Sequence, residues 1–168
     1  MAKSKKGIMS LLPVIAAVLG LIALITIFMP AIAMKEGSAD PINGLKAAFG
    51  YSEKFGNFST TSVKVLNFSF MNFLAYLLVL VGAGLSALTY FKGENKLFTL
   101  IAAGCFVVAT ILFFCFVPFA GWLEETKDLW QAMKKAPADF YKLEIGPILG
   151  AICSLLAAGA SAVSIVKK

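Results

Sequence analysis

The chain has 168 residues, 60% of them hydrophobic, with fifteen basic side chains against nine acidic ones and no histidine. An ordinary soluble domain is excluded, because its apolar share is nearer half. Every basic residue is lysine, so the bidentate arginine clamp, the usual imidazole base and the usual zinc ligand are all missing.

The first apolar run covers residues 8–33, and runs at 68–91, 97–119 and 145–166 follow it. Each exceeds the roughly 20 residues that cross a hydrocarbon core about 30 Å thick. Lys3, Lys5 and Lys6 precede the first run, and Ala31-Ile32-Ala33 near its end resembles a signal-peptidase site. The stretch from Ile8 to Met29 is too long for a usual signal core, so it is read as an uncleaved span.

The loop at 34–67 opens with the turn formers Gly37-Ser38, Asp40-Pro41 and Asn43-Gly44. Leu45 to Ala48 fits a short helical turn ended by Gly50. Phe58 to Leu66 is β-branched and partly alternating, which reads as a strand. An isolated strand pair is marginal, so this loop is expected to pack on the second loop, 120–144. Between the second and third runs, the short turn from Lys92 to Lys96 imposes an antiparallel hairpin.

Pro118 and Gly121 interrupt the third run. Trp122 to Lys135 then reads as an amphipathic helix, with Trp122, Leu129, Trp130 and Met133 near one face and Pro137 closing it. Both tryptophans lie at the level where aromatic belts sit. The expectation is an interfacial anchor for the third span, with a partner-binding or ligand-binding lid as the alternative role.

In the fourth run Gly146, Gly150, Ser154, Ala158 and Ala162 recur every four residues. Such a ridge lets helices approach closely in lipid. Gly82-Ala83-Gly84 with Ser86 and Ala87 gives the second run a shorter version, and Ala16 and Gly20 contribute from the first. No ionisable side chain lies in the body of any run, unlike the spans of ion-coupled transporters. Asn72 is the most polar residue there and is expected to bridge to another helix or to a loop.

Four spans put both termini on one face. That face carries seven lysines and the single acid Glu94, while the other carries eight lysines and eight acids. The whole excess therefore lies on the face with the termini, which the positive-inside rule assigns to the cytoplasm of a cell-membrane protein. Cys105, Cys115 and Cys153 fall inside the third and fourth runs and are read as packing residues. Glu124, Glu125 and Asp128 share a helical side with lysines close by, the pattern of a solvated face.

The layout resembles the claudin and peripheral-myelin-protein-like four-span proteins: cytoplasmic termini, a long β-prone first outer loop, a tight inner turn and a shorter second loop. The resemblance is one of topology. Of that family's Trp and Gly-Leu-Trp pattern with two cysteines, the nearest fragment is Asn43-Gly44-Leu45-Lys46. In composition the chain is similar to small four-span proteins of Gram-positive bacteria. The resemblance implies a first loop that forms a small sheet, a third span that runs on past the membrane, and action through lateral assembly, adhesion or an auxiliary role.

The expected fold is all-α and membrane-embedded: one four-helix bundle over residues 1–168, under a small extracytoplasmic cap open to a short β-sheet. The expected function is non-enzymatic, as a scaffold, adhesion protein or auxiliary subunit. Its expected partners are the bilayer and a membrane protein or a second copy, with no cofactor, metal or nucleic acid. An oligomeric pore or conduit for a small solute or lipid is the alternative.

Overall fold

In lipid every backbone polar group must be bonded within the protein, so long apolar segments become helices. The computed structural model describes residues 2–36, 40–54, 62–92 and 95–166, with side chains described from residue 11 onward except at 53–54, 62–63 and 129–130. Four long helices dominate it: α1 (Ala2–Ile25), α3 (Phe70–Lys92), α4 (Lys96–Phe114) and α7 (Ile145–Val166). All four are long and apolar enough to cross a membrane, as in a multi-pass membrane protein. They pack in a ring in which α1 touches α3 and α7, and α4 touches the same two.

The packing seam has one spacing throughout. Pro13, Ala16, Gly20, Ala23 and Thr26 are buried in the first helix and the 3-10 turn Thr26–Phe28 that ends it. Asn72, Ala75, Val79, Gly82, Ser86 and Thr89 are buried along α3, and Thr99, Ala102, Phe106, Ala109 and Phe113 along α4. In α7 the buried line runs Pro147, Gly150, Ser154, Ala157, Ser161 and Ser164. Steps of three and four alternate, apart from two successive threes at the end of the first helix, which keeps a seam on one side of a helix with 3.6 residues per turn. Small side chains fill most of the seam, with Phe106 and Phe113 the large exceptions, while Leu21, Leu80, Ile111, Leu155 and their like face outward. Lipid tails are as apolar as leucine, so close backbone approach rather than leucine burial holds such helices together.

Two of the apolar runs end earlier as helices than their hydropathy implies. Pro30 cannot continue the first helix, and Pro30–Met34 becomes strand β1 instead. The signal-like Ala31-Ile32-Ala33 is thus sheet, with Ala31 and Ile32 fully buried. The third run stops being helical at Phe114, because Pro118 has no N–H for that carbonyl and its ring crowds it. Residues 115–119 continue as turns, so α4 does not run on past its partners. Three side chains take up carbonyls in this turn. Asn72 Nδ2 donates to Phe116 O at 3.1 Å, Trp122 Nε1 donates to Val117 O at 2.9 Å, and Ser69 Oγ donates to Phe119 O.

The loops form a cap at the end of the bundle away from the chain termini. Its elements are β1, β2 (Ile42–Asn43), α2 (Gly44–Phe49), β3 (Tyr51–Lys54), β4 (Ser62–Asn67), β5 (Gly121–Trp122), α5 (Glu124–Ala132), α6 (Pro137–Phe140) and β6 (Tyr141–Leu143). They make two antiparallel three-stranded sheets, in the orders β2-β1-β6 and β3-β4-β5. Each sheet takes two strands from the first loop region and one from the second. Ile32 pairs with Leu143, and Leu66 pairs with Trp122.

The helix expected over Trp122 to Lys135 is shorter than that. Trp122 belongs to β5, α5 covers Glu124–Ala132, and Lys134 turns the chain at φ 52°. Pro137 does not close α5; it opens α6, where its missing N–H does no harm. The expected strand at Phe58 to Leu66 corresponds to β4, and its first residues lie outside the described ones.

Candidate functional site in the cap

The segment Asn43 to Tyr51 builds the site. Asn43 caps α2, its Oδ1 accepting from Lys46 N at 2.9 Å. Gly44 lies tightly against the bundle: a Cβ there would stand 2.9 Å from Ile27 O and would strike the Tyr76 hydroxyl. Gly50 adopts φ 78°, a conformation open to glycine, and turns the chain from α2 into β3. That turn carries the Tyr51 ring beneath Lys46, whose Nζ sits 5.0 Å from the ring centroid. A cation over an aromatic face is attracted by the ring quadrupole, which orders the long lysine side chain.

The two sheets approach each other on the opposite side. Trp122 of β5 packs on Tyr141 of β6 with ring centroids 4.4 Å apart. The strands thus follow one another as β2-β1-β6, then by ring contact β5-β4-β3, and α2 leads back from β3 to β2. Within this circuit lies a cavity of about 380 Å³. Ile42 and Val65 supply apolar surface, Ala33, Met34 and Pro41 extend it, and Ile32 borders it while fully buried. Tyr51 and Tyr141 form aromatic walls, and Asp40 and Lys46 bring one charge of each sign. Burial pushes the Tyr141 phenol above its ordinary value of 10.0.

The residues singled out by sequence lie elsewhere. Gly146, Gly150, Ser154 and Ala158 are buried in α7, as Gly82 and Ser86 are in α3. Ala162 turns outward. A step of four advances about 40° around the helix, so four steps carry Ala162 about 160° away from Gly146. Trp122 is buried under the cap rather than set in a belt, whereas Met133 is exposed beyond the end of α5. Leu129 and Trp130 are in α5, and their side chains lie outside the described ones. An aromatic cluster stands at the foot of the cap instead: Phe49 and Phe68, both exposed, and the half-buried Phe73, with centroids 5.5 to 6.2 Å apart.

Nothing in the sequence pattern united Asp40, Lys46, Tyr51 and Tyr141. Asp40 entered as a turn former and Lys46 in the fragment nearest the claudin pattern, and the tyrosines carried no signal. Gly50 was the available clue, as the residue that ends α2.

Glu124, Glu125 and Asp128 lie on the exposed side of the cap, with Lys127 Nζ 2.7 Å from Glu124 Oε1. Among the described residues no three His, Cys, Asp or Glu side chains gather as metal ligands would. No family model matches the chain, and no curated protein matches it significantly. What the molecule presents is four long apolar helices packed together, with two small sheets in the segments between them.

Proposed function

We propose that the protein is a non-enzymatic four-span subunit that assembles laterally with another membrane protein or with a second copy, as a scaffold or auxiliary component. The observation that carries this reading is a set of glycines the bundle itself does not use. A Cβ built at Gly84, Gly104 or Gly159 meets nothing within 4 Å. These positions lie eight, eight and seven residues from Lys92, Lys96 and Val166, about 11–12 Å from the end opposite the cap. Three helices therefore expose bare backbone at one depth, where a neighbouring helix can approach closely. In contrast, Gly20, Gly82, Gly146 and Gly150 are spent on contacts within the chain.

The lysine excess on the face of the termini supports an orientation with that face in the cytoplasm of a cell membrane, and the cap outside. A claudin-like arrangement belongs to the same reading, since strands from both loops share the cap's sheets. The conduit alternative is less favoured. Phe106, Phe113 and Phe116 are fully buried among the helices of a single chain, so a conduit would have to form between chains.

Extraction into lipid nanodiscs directly from cells tests the reading. A co-purifying membrane protein or a defined oligomer is expected, and Gly84→Leu with Gly159→Leu should release it while the far-UV spectrum stays helical. A partner-free monomer from native membranes would sink it.

A further inference from the structure

We propose that the cap cavity binds a small zwitterion with an apolar body: an ammonium and an anionic group on a short linker, attached to an aliphatic chain. Its volume of about 380 Å³ falls within the range of small-ligand sites, roughly 300–1,000 Å³. Val65, Ala33 and Met34, with the edge of Ile42, give an aliphatic group an apolar wall to lie against. Asp40 and Lys46 stand among the lining residues, both exposed, and neither forms an ion pair with any described residue.

That charge arrangement selects the ligand class. A simple anion drawn to Lys46 would be repelled by Asp40, and a simple cation would meet the reverse. An uncharged apolar molecule would gain nothing from either charge, since both stay exposed to water. A zwitterion satisfies both. Lys46 is also held ready: its backbone N–H is fixed by the Asn43 cap, and its ammonium rides over Tyr51. A group ordered before binding loses less freedom when the ligand arrives. Two sources share this chemistry, a free aliphatic amino acid and the headgroup of an aminophospholipid in the bilayer the helices span. A protein with no lateral partner would still hold this cavity, so this proposal and the assembly reading fail separately.

The full chain in phosphatidylglycerol nanodiscs, whose headgroup carries no ammonium, provides the test, with Trp130→Phe leaving Trp122 as the remaining indole. Trp122 packs on Tyr141, which lines the cavity, so its emission reports occupancy. L-Leucine is titrated in one arm, and phosphatidylethanolamine replaces part of the lipid in the other. A saturable change with leucine supports the soluble source, and a change only with the ethanolamine lipid supports the headgroup. In either case Lys46→Gln and Asp40→Asn should each weaken the response about tenfold or more. Isocaproate and isoamylamine, with one charge apiece, should bind about tenfold more weakly than leucine if the soluble source holds. Both replaced side chains are exposed, so the variants keep the fold, as their helical spectra would verify. No response in either arm, or a response that both substitutions leave unchanged, overturns the proposal.

Discussion

Phe106 is the side chain on which the bundle's close packing turns, and a double-mutant cycle can show it. The ring is fully buried, and two glycines leave room for it. A Cβ at Gly82 would stand 3.0 Å from its Cε1 and Cζ; one at Gly20 would stand 3.0 Å from Cε1 and 2.8 Å from Ala83 Cβ. In a soluble core Phe→Ala costs about 3–5 kcal/mol. Roughly 1.5–3 kcal/mol of that is transfer from water, which disappears when the unfolded reference is already in lipid or micelle. Phe106→Ala should therefore destabilise by roughly 1–3 kcal/mol. Gly82→Ala overpacks by roughly 1–3 kcal/mol and regains about 1 kcal/mol of helix propensity, so it should be neutral to mildly destabilising. In the Phe106→Ala background the overpacking vanishes, and the same substitution should stabilise by up to about 1 kcal/mol. Gly20→Ala serves as the control. Ala83 Cβ is fixed to its backbone and cannot yield, so much of that penalty should survive in the Phe106→Ala background. Unfolding in mixed micelles by SDS titration, followed by far-UV circular dichroism, measures all of these. If Gly82→Ala costs the same in both backgrounds, or Gly20→Ala is rescued as fully, the ring does not occupy this notch.

Asn72→Leu removes the donor to Phe116 O and should destabilise by roughly 0.5–1.5 kcal/mol in the same titration; an unchanged midpoint would deny the bridge any role. Gly121→Ala would drive a Cβ into Asn67 O, separating β5 from β4. Trp122 should then lose its buried environment, read as a red shift of its emission. Tyr141 should make the cap sensitive to alkali. Its folded value lies above 10.0, so its contribution is complete below that pH and is lost as pH rises through the raised value. Melting between pH 9 and 12 should show an alkaline decline that Tyr141→Phe reduces; equal declines in both proteins would remove the assignment. Lys127→Gln should shift stability by less than about 0.5 kcal/mol, since its ion pair with Glu124 is exposed.

Length and hydropathy were enough to see α1, α3, α4 and α7, because a span needs only a local property, a sufficient apolar run. The same property misplaced the ends of the first and third. Pro30 and Pro118 break helices without lowering hydropathy much, and strand β1 is as apolar as the helix before it. The ridge from Gly146 to Ala162 shows a subtler limit. A repeat of four is visible in the letters, yet the seam follows alternating threes and fours, so Ala162 leaves it.

The cap was the least legible part, for a physical reason. Its strands are two to six residues long, too short for a periodic signal, and their partners are remote. Ile32 finds Leu143, and Leu66 finds Trp122, only after the four helices have brought the two loop regions to one end. The tryptophan that looked like a belt anchor is buried for the same reason, since β4 and Tyr141 close over it.

Sequence alone determined the number of spans, the antiparallel hairpin and the lysine asymmetry, all of which depend on composition within short windows. Tertiary structure decided which small residues touch, where the third helix stops being sealed by its own backbone, and that Asp40, Lys46, Tyr51 and Tyr141 surround one cavity. Those are relations between distant segments. They exist only once lipid-driven helix formation and close packing have set where each loop begins and ends.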